Sequence, residues 1–221
     1  MDVADLALRK VTYRLFAELG GAPTAEAVGR ALDLDVESVH LGWQRLHDEH
    51  ALVLDVESGA LRMANPFSAV PTPHRVEATG RTWYANCAWD AFGILAALGV
   101  DGHIETTCPD CGEQLAVDVR DGRPDDESLV FHSLVDAARW WDDIVFTLSA
   151  MNLFRSEEHV ERWLGGRSPG TTIPVSKLAE LAVAWWSSRL DPDWRPRSRE
   201  ESQAILDGLE LTDGFWRLPA A

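Results

Sequence analysis

Cysteine is scarce, with three residues in 221. An odd count with no regular spacing does not make a disulfide framework. In a reducing compartment such thiols stay free, reactive or metal-binding. Long hydrophobic runs are missing too. No stretch approaches the roughly 20 apolar residues that span a bilayer. Residues 1–14 are charged and lack the apolar centre of a signal peptide. The chain therefore reads as cytoplasmic, with no membrane partner. Basic residues are outnumbered, 20 Lys and Arg against 36 Asp and Glu, for a net charge of −16. Such a surface repels phosphates at long range, which argues against nucleic acid and anionic lipid as partners. The chain has no Walker-type loop, G-x-G-x-x-G or H-E-x-x-H. Their absence argues against the common nucleotide and zinc-protease classes. There is no repeat and no low-complexity tract.

What is present fits a folded α+β protein. Hydrophobic residues make up 46% of the chain, and ten of them are Trp, a high number for this length. Residues 5–19 place Leu8, Val11, Leu15 and Leu19 at helical spacing before Gly20-Gly21. Thr24 caps a short helix over 25–32, and a third helix follows over 36–49 with Val36, Val39, Trp43 and Leu46 as its apolar positions. Strands over 52–56 and 60–63, with Glu57-Ser58-Gly59 between them, complete a winged-helix-like order. DNA binding is the obvious reading of that order, but the third helix carries Glu37, Asp48 and Glu49 against Arg45, which makes a poor groove reader. Pro66, Pro71 and Pro73 mark the connection between a first module, 1–70, and a second, 71–221. In the second, a strand over 75–83 leads to a helix over 87–98. Strands follow over 102–107, 113–119 and 128–134, and a strand lies within 144–154. Later helices begin at Ser156, near residue 174, and at the capping box Ser198-x-x-Glu201.

The chemistry is concentrated in WYANCAWDAFGI, residues 83–94. Cys87 and Asp90 are three apart, so on a helical turn their side chains share a face with Cβ atoms about 5–6 Å apart. A thiolate is a nucleophile and a soft-metal ligand, and a carboxyl beside it can hold or deliver a proton. Trp83, Tyr84, Trp89 and Phe92 would dry the site and raise the carboxyl pKa. The plain alternative is a buried structural Cys and a helix-surface Asp. A second thiol pair, Cys108-x-x-Cys111, is a half-site for zinc or a redox pair. His103 and Cys87 are the candidate further ligands. The alternative is an ordinary turn built by Pro109, Asp110 and Gly112. Trp140-Trp141 and Trp185-Trp186 read as core, and His159 as a surface residue at the start of a helix.

These segments resemble the alkylmercury (organomercurial) lyase family. Tyr84, Cys87, Ala88 and Asp90 match its motif Y-x-W-C-A-x-D, with Asn86 where the family has Trp. TTCPDCG, residues 106–112, is similar to a second family segment, with Cys108 at its cysteine. LSAMNLFRS, residues 148–156, is similar to C-x-x-V-x-F-F-x-S, which places Leu148 where the family has its second catalytic cysteine. The resemblance implies a winged-helix-like N-terminal domain followed by a catalytic domain of strands with flanking helices. It implies Cys87 and Asp90 as catalytic residues, Trp83, Tyr84, Trp89 and Leu148 around a substrate pocket, and no required cofactor. Hg(II) is then substrate and product, and small thiols accept it. Two thiolates activate the carbon–mercury bond in the family, so Leu148 leaves three outcomes open. These are a lyase-like enzyme, a Cys–Asp enzyme acting on a small organic metabolite, or a non-catalytic protein that binds metal, zinc included, through Cys87, Cys108 and Cys111. The chain is expected to be a monomer or a homodimer.

Overall fold

A computed structural model describes residues 1–219. Three helices open the chain: α1 (Val3–Leu19), α2 (Ala25–Leu32) and α3 (Val36–Asp48). Each starts at a polar side chain that accepts a backbone N–H, namely Asp2, Thr24 and Asp35. The buried stripe of α1 is Leu8, Thr12 and Phe16 with Asp5, Arg9 and Tyr13. This differs from the expected Leu8–Val11–Leu15–Leu19 stripe, and Leu19 is exposed. Buried polar groups explain the rotation. Thr12 donates to the Leu8 carbonyl and accepts from Trp43 Nε1, while Tyr13 donates to the Ala51 carbonyl. With these bonds made, the aromatic rings pack inward at little polar cost.

The strands are β1 (Val53–Leu54), β2 (Leu61–Ala64), β3 (Phe67–Ser68), β4 (Arg75–Ala78) and β5 (Arg81–Ala85), then, after helix α4 (Ala88–Leu98), β6 (Gly102–Thr107), β7 (Gln114–Arg120) and β8 (Arg123–Pro124). They form one antiparallel sheet in the order β1-β2-β3-β5-β4-β6-β7-β8. The single strand expected over 75–83 is a hairpin instead. Thr79 and Gly80 both take positive φ, 50° and 76°, which is the two-residue turn that matches strand twist. The sheet runs without a break across residue 70, and Phe67 of β3 stacks on Phe16 of α1 at 5.2 Å.

Next come β9 (Val130–Ser133), α5 (Ile144–Ser149), β10 (Met151–Phe154), α6 (Glu157–Leu164), β11 (Thr171–Pro174), α7 (Val175–Trp186) and α8 (Arg199–Gly208). The segment 144–154 is thus helix and then strand. A smaller antiparallel sheet has the order β10-β9-β11. In β7 the residues Leu115, Val117 and Val119 alternate inward, with Ile104 and Thr106 doing the same in β6. Against the large sheet lies α4, which is apolar on nearly all sides and buried along almost its whole length. A helix of that kind needs cover on both flanks. The sheet supplies one, through β4, β5 and β6, and α7 the other. Among the described residues no helix is long and apolar enough to cross a membrane.

Candidate active site

Strand β5 ends at Ala85, and the chain turns through Asn86 and Cys87 into α4. Cys87 is the N-cap of that helix. Its Sγ accepts the Asp90 backbone N–H at 3.3 Å, which places the thiol and the Asp90 carboxyl in one helical turn. Both side chains are fully buried. Asp90 Oδ2 accepts from Asn86 Nδ2 at 2.9 Å, whereas Oδ1 has no hydrogen-bond partner among the described residues. The Asn86 amide also reaches Asn65 Oδ1 and the carbonyls of Pro66 and Phe67, so it is fixed from several sides.

Two opposing effects set the protonation of this pair. The positive end of a helix favours a negative group by about 0.3–1 kcal/mol. Full burial shifts a pKa by up to several units, each worth about 1.4 kcal/mol, so burial wins. It pushes the Asp90 carboxyl up to about 7, against the pull of the Asn86 amide, the Arg189 guanidinium and the Cys87 thiol. Burial likewise pushes the Cys87 thiol well above its ordinary value, and the neighbouring Asp90 carboxylate adds to the shift. At neutral pH Cys87 is therefore a thiol, and Asp90 divides its time between acid and base.

Asp90 forms part of the wall of a cavity of about 190 Å³. Trp89, Trp140, Trp185 and Trp186 surround it. The Trp89 ring lies 5.5 Å from Trp140, 5.3 Å from Trp185 and 5.7 Å from Trp186, centroid to centroid. Leu148 of α5, with Thr147 and Met151, closes another side, and Arg189 reaches in from the segment after α7. The Arg189 side chain donates to the Asn65 carbonyl at 2.9 Å and to the Tyr13 hydroxyl at 3.1 Å.

The structure brings Asp90, Trp89 and Leu148 to one cavity, while Cys87, fully buried in the same helical turn as Asp90, is not among the residues lining that cavity. Trp83 and Tyr84 lie outside it. Trp83 is buried against α1 and donates to the Phe16 carbonyl at 3.3 Å, and Tyr84 is partly exposed on β5. Cys108 and Cys111 gather with His159, not with Cys87. His103, proposed beside them from spacing, instead pairs with Asp118 at 2.6 Å on the far half of β6. His159, expected to be a surface residue, is half-buried, because α6 turns its first face toward the β6–β7 hairpin. Burial works against a thiolate at Cys108, but the backbone N–H groups of Arg155, Cys111 and Asp110 outweigh it and hold this thiol below its ordinary value. The sequence reading missed Asn86 and Arg189. Asn86 carried a signal, since it sits four residues before Asp90; Arg189 carried none, because it arrives from another part of the chain.

Comparison with known proteins bears on the family and the fold. Residues 67–187 match the family model described as Alkylmercury lyase. An alkylmercury lyase of Staphylococcus epidermidis is 30% identical over 118 residues, which is 51% of this chain and 53% of that protein. The chain thus matches about half the length of this curated relative. The crystal structure of the mercury-bound form of MerB2 superposes with a TM-score of 0.65 at 21% identity, covering 86% of this chain and 91% of that one. The likeness in fold extends well beyond the segment that matches in sequence.

Proposed function

This chain belongs to the alkylmercury lyase family, and from that membership we propose that it cleaves a carbon–mercury bond by protonolysis, with Cys87 as mercury ligand and Asp90 as proton carrier. One observation carries the reading. A carboxyl that burial pushes up to about 7, with one oxygen free of partners among the described residues, shares a helical turn with a cysteine thiol and lines a tryptophan-walled cavity. A general acid–base works best near its operating pH, and Asp90 has that property here.

The substrate is an organomercurial already carrying one external thiolate, R–Hg–SR′. Its R group occupies the cavity among the indole rings. As the Cys87 sulfur bonds to mercury, its proton passes to Asp90. Asp90 then gives that proton to the carbon, the carbon–mercury bond breaks, and R–H leaves. Mercury remains as Cys87–S–Hg–SR′ until small thiols displace it. The balance is one R–Hg–SR′ plus one cysteine thiol in, one R–H and one protein-bound mercury out. The external thiolate takes the position of the second protein sulfur, which Leu148 cannot supply.

Leu148 also supports a second reading. With one sulfur beside Asp90, the same pair suits nucleophilic and acid–base work on a small organic metabolite. The deciding experiment gives the purified protein an arylmercury substrate with excess small thiol and follows arene release. The lyase reading expects turnover that falls by at least about 100-fold in both Cys87→Ser and Asp90→Ala. Stoichiometric mercury binding with no arene released would sink it.

A further inference from the structure

The tip of the β6–β7 hairpin is Cys108-Pro109-Asp110-Cys111-Gly112-Glu113. It closes through Cys108 N–H donating to the Glu113 carbonyl, and inside it Gly112 N–H donates to the Cys108 carbonyl, both at 2.9 Å. Gly112 has φ of 75°, in the left-handed region that favours glycine, so the tip folds back tightly enough to set both cysteines on one side. Helix α6 packs its first turn here and brings His159 Nδ1 to 3.9 Å from Cys108 Sγ. One donor atom from each of Cys108, Cys111 and His159 lies within 4.8 Å of the other two. Ligands on a tetrahedral metal, with bonds of about 2.3 Å to sulfur and 2.0–2.1 Å to nitrogen, stand roughly 3.5–3.8 Å apart. The Cys108–His159 pair is already close to that separation.

We propose that Cys108, Cys111 and His159 bind a soft divalent cation with a filled d shell, zinc or mercury(II), as a three-donor protein site with a fourth position for an external ligand. Two sulfurs and an imidazole select such ions over magnesium or calcium, which require oxygen. Cys108 is buried and Cys111 exposed, so the site has one anchored donor and one open to arriving metal. His159 Nδ1 now lies 2.8 Å from both Asp110 Oδ2 and Arg162 Nη2, and the metal replaces both contacts, leaving Arg162 its bonds to Asp110 and Glu158. Bound metal ties the hairpin tip to α6. Because β10 joins α6 to the Leu148–Met151 wall, the clamp also steadies one side of the Asp90 cavity. Neither Cys87 nor Asp90 is a donor, so the site stands whether or not the protein cleaves carbon–mercury bonds.

The test is titration of metal-free, full-length protein with cobalt(II) under reducing conditions, followed by competition. One equivalent should give intense tetrahedral d–d bands and a thiolate-to-cobalt charge-transfer band. Displacement by zinc assigns a zinc site. Displacement by mercury(II) alone, measured in a Cys87→Ser background, assigns a mercury site. Cys111→Ser should roughly halve the charge-transfer band, and it and His159→Gln should each weaken cobalt binding at least tenfold. Cys111 is exposed, so its variant keeps the fold, which circular dichroism checks directly. No charge-transfer band in the wild type, or a band unchanged by both variants, would overturn the assignment, as would a band lost on Cys87→Ser alone.

Discussion

At Asp90 the energetic balance is set by neighbours that can be removed one at a time. The Asn86 amide donates to Oδ2 and favours the carboxylate, while burial favours the acid. A hydrogen bond to a charged group is worth about 1.5–3 kcal/mol. Asn86→Ala should therefore move the Asp90 midpoint upward from about 7 by roughly 1–2 units. Asp90 must be ionised to take the thiol proton, so the pH at which single-turnover arene release reaches half its plateau should rise with it. The carboxyl infrared band titrated in the variant reads the same shift without any turnover. A midpoint that stays or falls would remove Asn86 from this role. The Cys87–Asp90 pair was legible in the sequence because a spacing of three on a helix start is a local property. Asn86 was harder, since it registers first as a departure from the family motif. Its value shows only when the turn from β5 into α4 aims its amide at the carboxyl.

Helices α4 and α7 meet more closely than their side chains alone would allow. The contact rests on Gly93, where an added Cβ would fall 2.5 Å from Trp186 Cδ1 and 2.7 Å from its Nε1. Trp186 is buried and also lines the cavity, so the ring has little freedom to retreat. Gly93→Ala should cost about 1–3 kcal/mol by overpacking, read from the urea midpoint at unchanged slope. An unchanged midpoint would mean the helices can separate at no cost. Most elements were legible from periodicity and caps, including the Ser198–Glu201 capping box, whose two reciprocal bonds are both formed. The failures share a cause. Apolar spacing alone predicts the α1 stripe, and 75–83 is expected as one unbroken strand. The first was overridden by buried hydrogen bonds at Thr12 and Tyr13, and the second by the turn at Thr79-Gly80. The place of α6 against the hairpin tip, which makes His159 a neighbour of Cys108, depends on packing between segments 51 residues apart.

Across the whole molecule, the cavity is assembled from remote stretches. Asn65 comes from the sheet's first half, Trp89 and Asp90 from α4, Leu148 from α5, and Arg189 and Trp194 from beyond α7. No local pattern announces such a meeting, which is why the pocket was only partly legible while the reactive pair was plain. The first three helices are joined to the rest through the continuous sheet and through Arg189, which reaches Tyr13. Arg45, the one Arg of α3, is held by Asp5 of α1, so the acidic third helix offers no free guanidinium to a phosphate. Six of the ten tryptophans, residues 89, 140, 141, 185, 186 and 194, border this single space. That concentration has an optical consequence. A heavy nucleus promotes crossing from the excited singlet to the triplet, so a mercury compound held there should dim most of the protein's ultraviolet emission in proportion to occupancy. The remaining light would come from rings such as Trp43 and Trp83, which pack against α1 and do not line the cavity. Emission that ignores saturating arylmercury would place the metal elsewhere, and emission that falls stoichiometrically would let this protein report its own filling without a label.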